Sequence, residues 1–207
     1  MTTASESDPT GRAVCRIALH GYARVGKDEA GKVLASRYGL ERVAFGDLIK
    51  GDLDAIVQKH CGFSAFTQND TQKSQIRELL VHYGYAAYQS IEARFFGNLP
   101  SRAVNTRIFR ARECLLWRQR GGKILLVKRD GYGPAEPKEK EEVEQCIAAG
   151  LIDGVVHNCG DLEYLGNEVK YWMEKWGYYP ALPEITGHSG FTVRSAPVSA
   201  SDFRVGG

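Results

Sequence analysis

No uninterrupted apolar stretch in this 207-residue chain reaches the ~18 residues that cross a bilayer, so no membrane-spanning helix and no membrane partner are expected. The first ten residues are small, polar and acidic, and lack the basic and apolar regions of a secretory signal. Nor is there a large excess of one charge. The 27 Lys and Arg stand against 25 Asp and Glu, a net charge of +2, which argues against stable nucleic-acid binding. The five cysteines, Cys15, Cys61, Cys114, Cys146 and Cys159, include no C-x-x-C pair. The five histidines, His20, His60, His82, His157 and His188, show neither H-x-x-x-H nor Cys/His ligand spacing. Reduced thiols in a cytoplasmic protein, and no structural zinc, are therefore expected. Internal repeats and a G-x-S-x-G nucleophile elbow are also missing.

What is present is ordinary globular material, 43% hydrophobic and 25% charged, in a length that suits one domain. The expected organisation is a flexible N-terminus over 1–12, one folded unit over 13–176 and an irregular tail over 177–207, where Pro180, Pro183, Gly187 and Gly190 interrupt any periodicity. Residues 13–20 form a short apolar run ending at Gly21, which reads as a strand. A helix follows over 26–38, closed by Gly39. Residues 42–45 read as a second strand, after which Asp47 can cap a helix carrying Leu48, Leu53, Ile56 and Val57. A helix is predicted over 71–88, a strand over 102–106 and a helix over 108–120 that stops at Gly121-Gly122. Residues 123–128 give the clearest strand. Then come a helix within 137–149, a strand around Val155 and Val156, and a last helix with Leu162, Leu165, Val169, Trp172, Met173 and Trp176 on one face. Alternation of strand and helix argues for an α/β sandwich around a mainly parallel sheet.

Gly21-Tyr22-Ala23-Arg24-Val25-Gly26-Lys27-Asp28 has the G-x-x-x-x-G-K spacing of a phosphate-binding P-loop, after a predicted strand and before a predicted helix. The glycines let backbone N–H groups turn toward phosphate oxygens, the helix start adds its positive end, and Lys27 can reach β- and γ-phosphates. Asp28 stands where Ser or Thr usually offers a hydroxyl to Mg²⁺. Two readings remain open for it: a hard oxygen ligand for the metal, or an acid favoured in the first helical turn.

G-Y-A-R-V-G-K-D, F-G-D-L-I-K, I-R-E-L-L-V-H-Y-G, V-N-T-R, G-G-K-I-L-L-V-K-R-D-G and H-N-C-G-D-L-E-Y-L, taken in order over about residues 14–170, resemble the bacteriophage-type deoxynucleoside monophosphate kinases. The resemblance implies a P-loop NTPase sandwich with a short lid, ATP as donor with Mg²⁺, a deoxynucleoside monophosphate as acceptor, and the host cytoplasm as location for a phage-encoded chain. Self-association as a homodimer is compatible with it. The same cradle also serves other small P-loop kinases, such as those acting on coenzyme precursors, and nucleotide-binding proteins without turnover.

Phosphoryl transfer between two anionic molecules needs cations around the transferred group and a separate cradle for the acceptor. Asp47 and Lys50 lie in F-G-D-L-I-K, Arg77 in I-R-E-L-L, and Arg107 follows V-N-T. These positions give Asp47, Lys50, Arg77 and Arg107 as acceptor-side candidates, with a solvated helix-surface charge as the competing reading of each cation. Arg129 opens the lid-like segment after 123–128, as a stacking or phosphate-contacting group or as a plain surface arginine. Lys27, Arg107 and Arg129 are the catalytic candidates. Asn158 and Gly160 match a segment near the adenine of ATP, and also suit a loop-to-helix turn capped by Asp161. The nucleotide-binding set is thus Gly21, Ala23, Arg24, Val25, Gly26, Lys27, Asp28 and Asn158.

Three departures from the family pattern stand out. Asn105 replaces the strand-end carboxylate, and with Asp28 it is the candidate for Mg²⁺ through a bound water. Glu113 is displaced from the expected acid and reads as a helix-surface charge. Tyr85-Ala86-Ala87 follows Gly84 where Thr-Glu is common, and Glu29 follows Asp28 where a hydroxyl is common. The aromatic stripe Tyr164, Tyr171, Trp172, Trp176 and Tyr178 reads as helix packing.

Overall fold

The computed structural model describes residues 14–180, so the N-terminal segment and nearly all of the expected tail lie outside the described residues. Five strands, β1 (Cys15–His20), β2 (Glu41–Arg42), β3 (Arg102–Asn105), β4 (Lys123–Lys128) and β5 (Gly154–His157), form one sheet in the order β2-β3-β1-β4-β5. Every pairing is parallel. Seven helices, α1 (Lys27–Tyr38), α2 (Phe45–Cys61), α3 (Asp70–Ala86), α4 (Tyr88–Gly97), α5 (Ala111–Gln119), α6 (Pro137–Ala148) and α7 (Leu162–Lys175), complete the described chain. This is the α/β sandwich that the alternation predicts.

Strand periodicity assigns the two faces. Ile17 and Leu19 of β1 point into a core shared with Leu34 of α1 and with Leu165, Val169 and Met173 of α7. Ala18, between them, faces the opposite core with Phe95 and Phe96 of α4, Trp117 of α5 and Cys146 of α6. The strands read as continuous apolar runs because helices cover both sides. Leu53, Val57, Ala65 and Ile76 form a separate small core between α2 and α3.

Several sequence boundaries shift for physical reasons. The strand expected over 42–45 is only Glu41–Arg42; Val43 makes one more bond to Val104 at 2.9 Å, and Phe45 already opens α2. Ala44, not Asp47, is the N-cap of α2, and the Asp47 amide bonds the Ala44 carbonyl at 3.1 Å. Asn69 caps α3 through the Thr71 and Gln72 amides, and the helix expected over 71–88 breaks at Ala87. Beyond it runs α4, which has no counterpart in the sequence reading. The helix expected over 108–120 starts at Ala111, because Glu113 accepts the Phe109 and Arg110 amides at 3.0 and 3.2 Å and holds that segment extended. Leu162 is 64% exposed, so the apolar face of α7 begins at Leu165. Among the described residues no helix is long and apolar enough to cross a membrane.

Candidate active site

The C-terminal ends of four parallel strands deliver the site, as expected where ligands meet open α/β sheets. β1 runs into the P-loop, β3 into Thr106 and Arg107, β4 into Arg129 and β5 into Asn158. The P-loop conformation depends on its glycines. Gly21 and Gly26 adopt φ of 129° and 101°, and a Cβ would strike the Val127 carbonyl at the first and the Asn158 side chain at the second. Arg24 also sits in the left-handed region, at φ 63°. Val25 is buried in the core and anchors the loop, whereas Ala23 and Arg24 are exposed at its tip.

Lys27 begins α1 and folds its ammonium back on the loop, donating to the Gly21 carbonyl at 2.7 Å and to that of Tyr22 at 2.5 Å. Burial pushes its pKa below the ordinary lysine value, and Arg107 adds to this, while Glu139 and Asp28 oppose it. Glu139, in the first turn of α6, accepts the Ala23 amide at 2.7 Å through one oxygen and the Ala135 amide at 2.7 Å through the other. A carboxylate thus sits among the loop amides that suit an anion.

Asp28 accepts the Thr106 hydroxyl at 3.0 Å. Asn105 does not join it: this residue is 1% exposed and its Oδ1 accepts the Arg107 amide at 2.8 Å, shaping the turn after β3. The group the sequence reading missed is therefore Thr106, whose signal was the hydroxyl next to the noticed Asn105. Asn158 likewise packs on Gly26 and donates to the Val25 carbonyl at 2.8 Å, so it braces the P-loop.

Two cavities flank the end of β3. One, about 620 Å³, is lined by Gly21, Gly26, Lys27, Asp28, Thr106 and Arg129 among others. The other, about 360 Å³, has Phe45, Ile49, Leu80, Tyr85 and Tyr88 in its wall, with Lys50 at its edge. Arg107 and Phe109 line both. Arg110 lies 4.4 Å over the Tyr88 ring, and the Tyr88 hydroxyl donates to Glu113 at 3.1 Å. Burial, aided by Glu113, raises the Tyr88 phenol above its usual range. Glu113 is only 7% exposed, so the sequence reading of it as a surface charge is corrected: it caps α5 and lines the second cavity. Lys50 is half-buried, 5.6 Å from the Phe66 ring centroid and 3.6 Å from Asp47. Asp47 itself is exposed and faces a different depression with Arg42 and Arg94. Arg77 is exposed on α3 and lines neither cavity. Arg129 is exposed too, 4.7 Å over the Tyr132 ring.

No family model matches the chain, and no curated protein matches it. Similar solved structures include shikimate kinase from Aquifex aeolicus vf5, 17% identical with a TM-score of 0.49 over 78% of this chain and 98% of that one. Others are dephospho-CoA kinase from Campylobacter jejuni, 10% identical with a TM-score of 0.42 over 79% and 98%, and a gluconokinase from Sinorhizobium meliloti 1021, 13% identical with a TM-score of 0.38 over 80% and 97%. At these values, activity has to be read from the residues of the site itself.

Proposed function

We propose that the protein is a kinase that moves the γ-phosphoryl group of ATP to a small phosphorylated acceptor, which in the narrowest form of the reading is a deoxynucleoside monophosphate. The observation that carries it is that Arg107 and Phe109 line both a P-loop cavity and an aromatic-walled one. The rings of Phe45, Tyr85 and Tyr88 offer an apolar wall for a flat base, and Lys50 and Arg107 offer charge-assisted bonds to the acceptor phosphate. Arg77 has no part in this arrangement.

The chemistry needs no covalent intermediate. An acceptor phosphate oxygen attacks the γ-phosphorus in line, the bond to the leaving ADP oxygen breaks, and its electron pair stays on ADP. Lys27 leaves the Gly21 and Tyr22 carbonyls for the phosphates, while Arg107 and Arg129 offset charge on the transferred group. Asp28 and Thr106 are hard oxygen donors 3.0 Å apart at the edge of the P-loop cavity, and fit Mg²⁺. They would hold the ion, which when bound neutralises β- and γ-phosphate charge. Carboxylate and hydroxyl have in effect changed places relative to the usual P-loop arrangement, in which the hydroxyl follows the lysine.

The test is ADP release with Mg²⁺ and ATP across deoxynucleoside monophosphates, ribonucleoside monophosphates and non-nucleotide acceptors. Stimulation by a deoxynucleoside monophosphate supports the narrow form, and stimulation only by another acceptor retains the kinase alone. ATP binding with no acceptor-dependent release would instead favour a nucleotide-binding protein without turnover, for which the Glu139 carboxylate in the loop speaks.

A further inference from the structure

Behind the P-loop, three soft donors from distant parts of the sequence meet in the core. His20 is the last residue of β1, Cys114 lies on α5 and Cys146 on α6. One ligating atom from each lies within 4.8 Å of the others, and the residues are 1%, 0% and 0% exposed. The two sulfurs are 3.6 Å apart. That is close to the ~3.8 Å separating two thiolates bound at ~2.3 Å to one tetrahedral ion.

The histidine shows the clearest sign of an unmet partner. Its Nδ1 lies 3.0 Å from the Ile108 carbonyl, which can only accept, so Nδ1 carries the proton and Nε2 presents a bare lone pair. Nε2 is buried and has no hydrogen-bond partner among the described residues. An unsatisfied buried acceptor is destabilising unless something binds it. A backbone carbonyl that fixes one ring nitrogen and leaves the other unpartnered is the arrangement that orients a metal-ligating imidazole.

We propose that His20, Cys114 and Cys146 form a buried site for a thiophilic divalent ion, Zn²⁺, that ties the strand leading into the P-loop to α5 and α6. Two thiolates and a neutral imidazole balance the charge of the ion, which makes its burial tolerable. Binding releases the two thiol protons to solvent. Sequence spacing could not reveal this set, because its members stand at positions 20, 114 and 146.

The experiment uses the full chain carrying Cys61→Ser and Cys159→Ser, which removes the two exposed thiols. Reduced, chelator-treated protein is titrated with Zn²⁺ by calorimetry, and with Co²⁺ by absorption spectroscopy. One ion per chain, a thiolate-to-Co²⁺ charge-transfer band and a higher Tm with Zn²⁺ are expected. Cys146→Ser and Cys114→Ser should each weaken binding roughly 100-fold or more and remove most of the band. If these variants fail to fold, the parent gives the same answer in mild denaturant, where its buried thiols open: stoichiometric Zn²⁺ should slow alkylation of Cys114 and Cys146 relative to metal-free protein, read by peptide mass mapping. The proposal is overturned by a reduced, folded parent that takes up no stoichiometric Zn²⁺ and leaves both thiols unprotected. It is equally overturned by binding that persists in folded Cys146→Ser, or by a Cys114–Cys146 disulfide that forms in the presence of Zn²⁺.

Discussion

Glu139 accepts the backbone amide of Ala23 at 2.7 Å, so a side chain from α6 takes one of the donors that a phosphate oxygen would use. Its second oxygen holds the Ala135 amide, which ties the lid-side segment to the same carboxylate. On the proposed function, incoming nucleotide displaces this anion. Glu139→Ala should therefore tighten ATP binding about tenfold, equivalent to roughly 1.4 kcal/mol. Calorimetry decides: weaker binding in the variant would mean that Glu139 orders the lid for the nucleotide.

Lys27 is held by two carbonyls in a site where burial disfavours its charge. Lys27→Met should leave the Tm of the ligand-free protein unchanged or slightly raised, while removing nearly all phosphoryl transfer and the Tm rise produced by ATP. Thermal melts with and without nucleotide test this. A large loss of stability without ligand would show that the lysine serves the fold.

Asp28 and Thr106 act as a pair across the end of β3. Asp28→Asn and Thr106→Val should each raise the Mg²⁺ concentration for half-maximal rate several-fold, and the double variant should show less than the sum of the two effects. Asn105→Ala should leave the Mg²⁺ titration unchanged, because its oxygen is engaged by the Arg107 amide.

Lys50 lines only the aromatic-walled cavity, whereas Arg107 lines both. Lys50→Ala should depress kcat/KM for the acceptor about 30-fold to 1,000-fold with ATP affinity unmoved, while Arg107→Ala weakens both. Steady-state kinetics with calorimetry for ATP separates the two patterns. Parental acceptor kinetics in both variants would place the acceptor elsewhere.

Glu92 is 7% exposed and receives both the Nε and Nη2 of Arg112, at distances from 2.7 to 3.1 Å. Those bonds hold its carboxyl below the ordinary glutamate value of 4.5. A depressed carboxylate contributes stability that is present above the unfolded value and is lost as pH falls through the folded one. Glu92→Gln should accordingly flatten the decline in stability below pH 4.5, measured by urea melts across acid pH. Arg112→Ala should lower stability at neutral pH and leave it nearly unchanged in acid, because it strips the buried Glu92 carboxylate of its bonded partner.

What the sequence determined by itself was local. The apolar run of β4 was legible to the residue, and so was the helix stop at Gly39, which adopts φ 62°. The P-loop was legible because its glycines and lysine are neighbours in the chain, and their conformational demands are intrinsic to those residue types. The break at Ala87 was not, since no glycine or proline marks it and Ala86, Ala87 and Tyr88 suit a continuous helix. Tertiary structure alone decided which side chains meet. Pairing Ala18 with Asn105 sets the register of β1 and β3, and that register brings Thr106, 78 residues away, to Asp28. It also leaves Asn105 to its own turn and places Arg107 between two cavities. The same sheet, covered by α5 and α6, gathers His20, Cys114 and Cys146. Periodicity and spacing act over one or two turns of chain, whereas these contacts arise only when parallel strands align and helices close over them, so no local pattern records them.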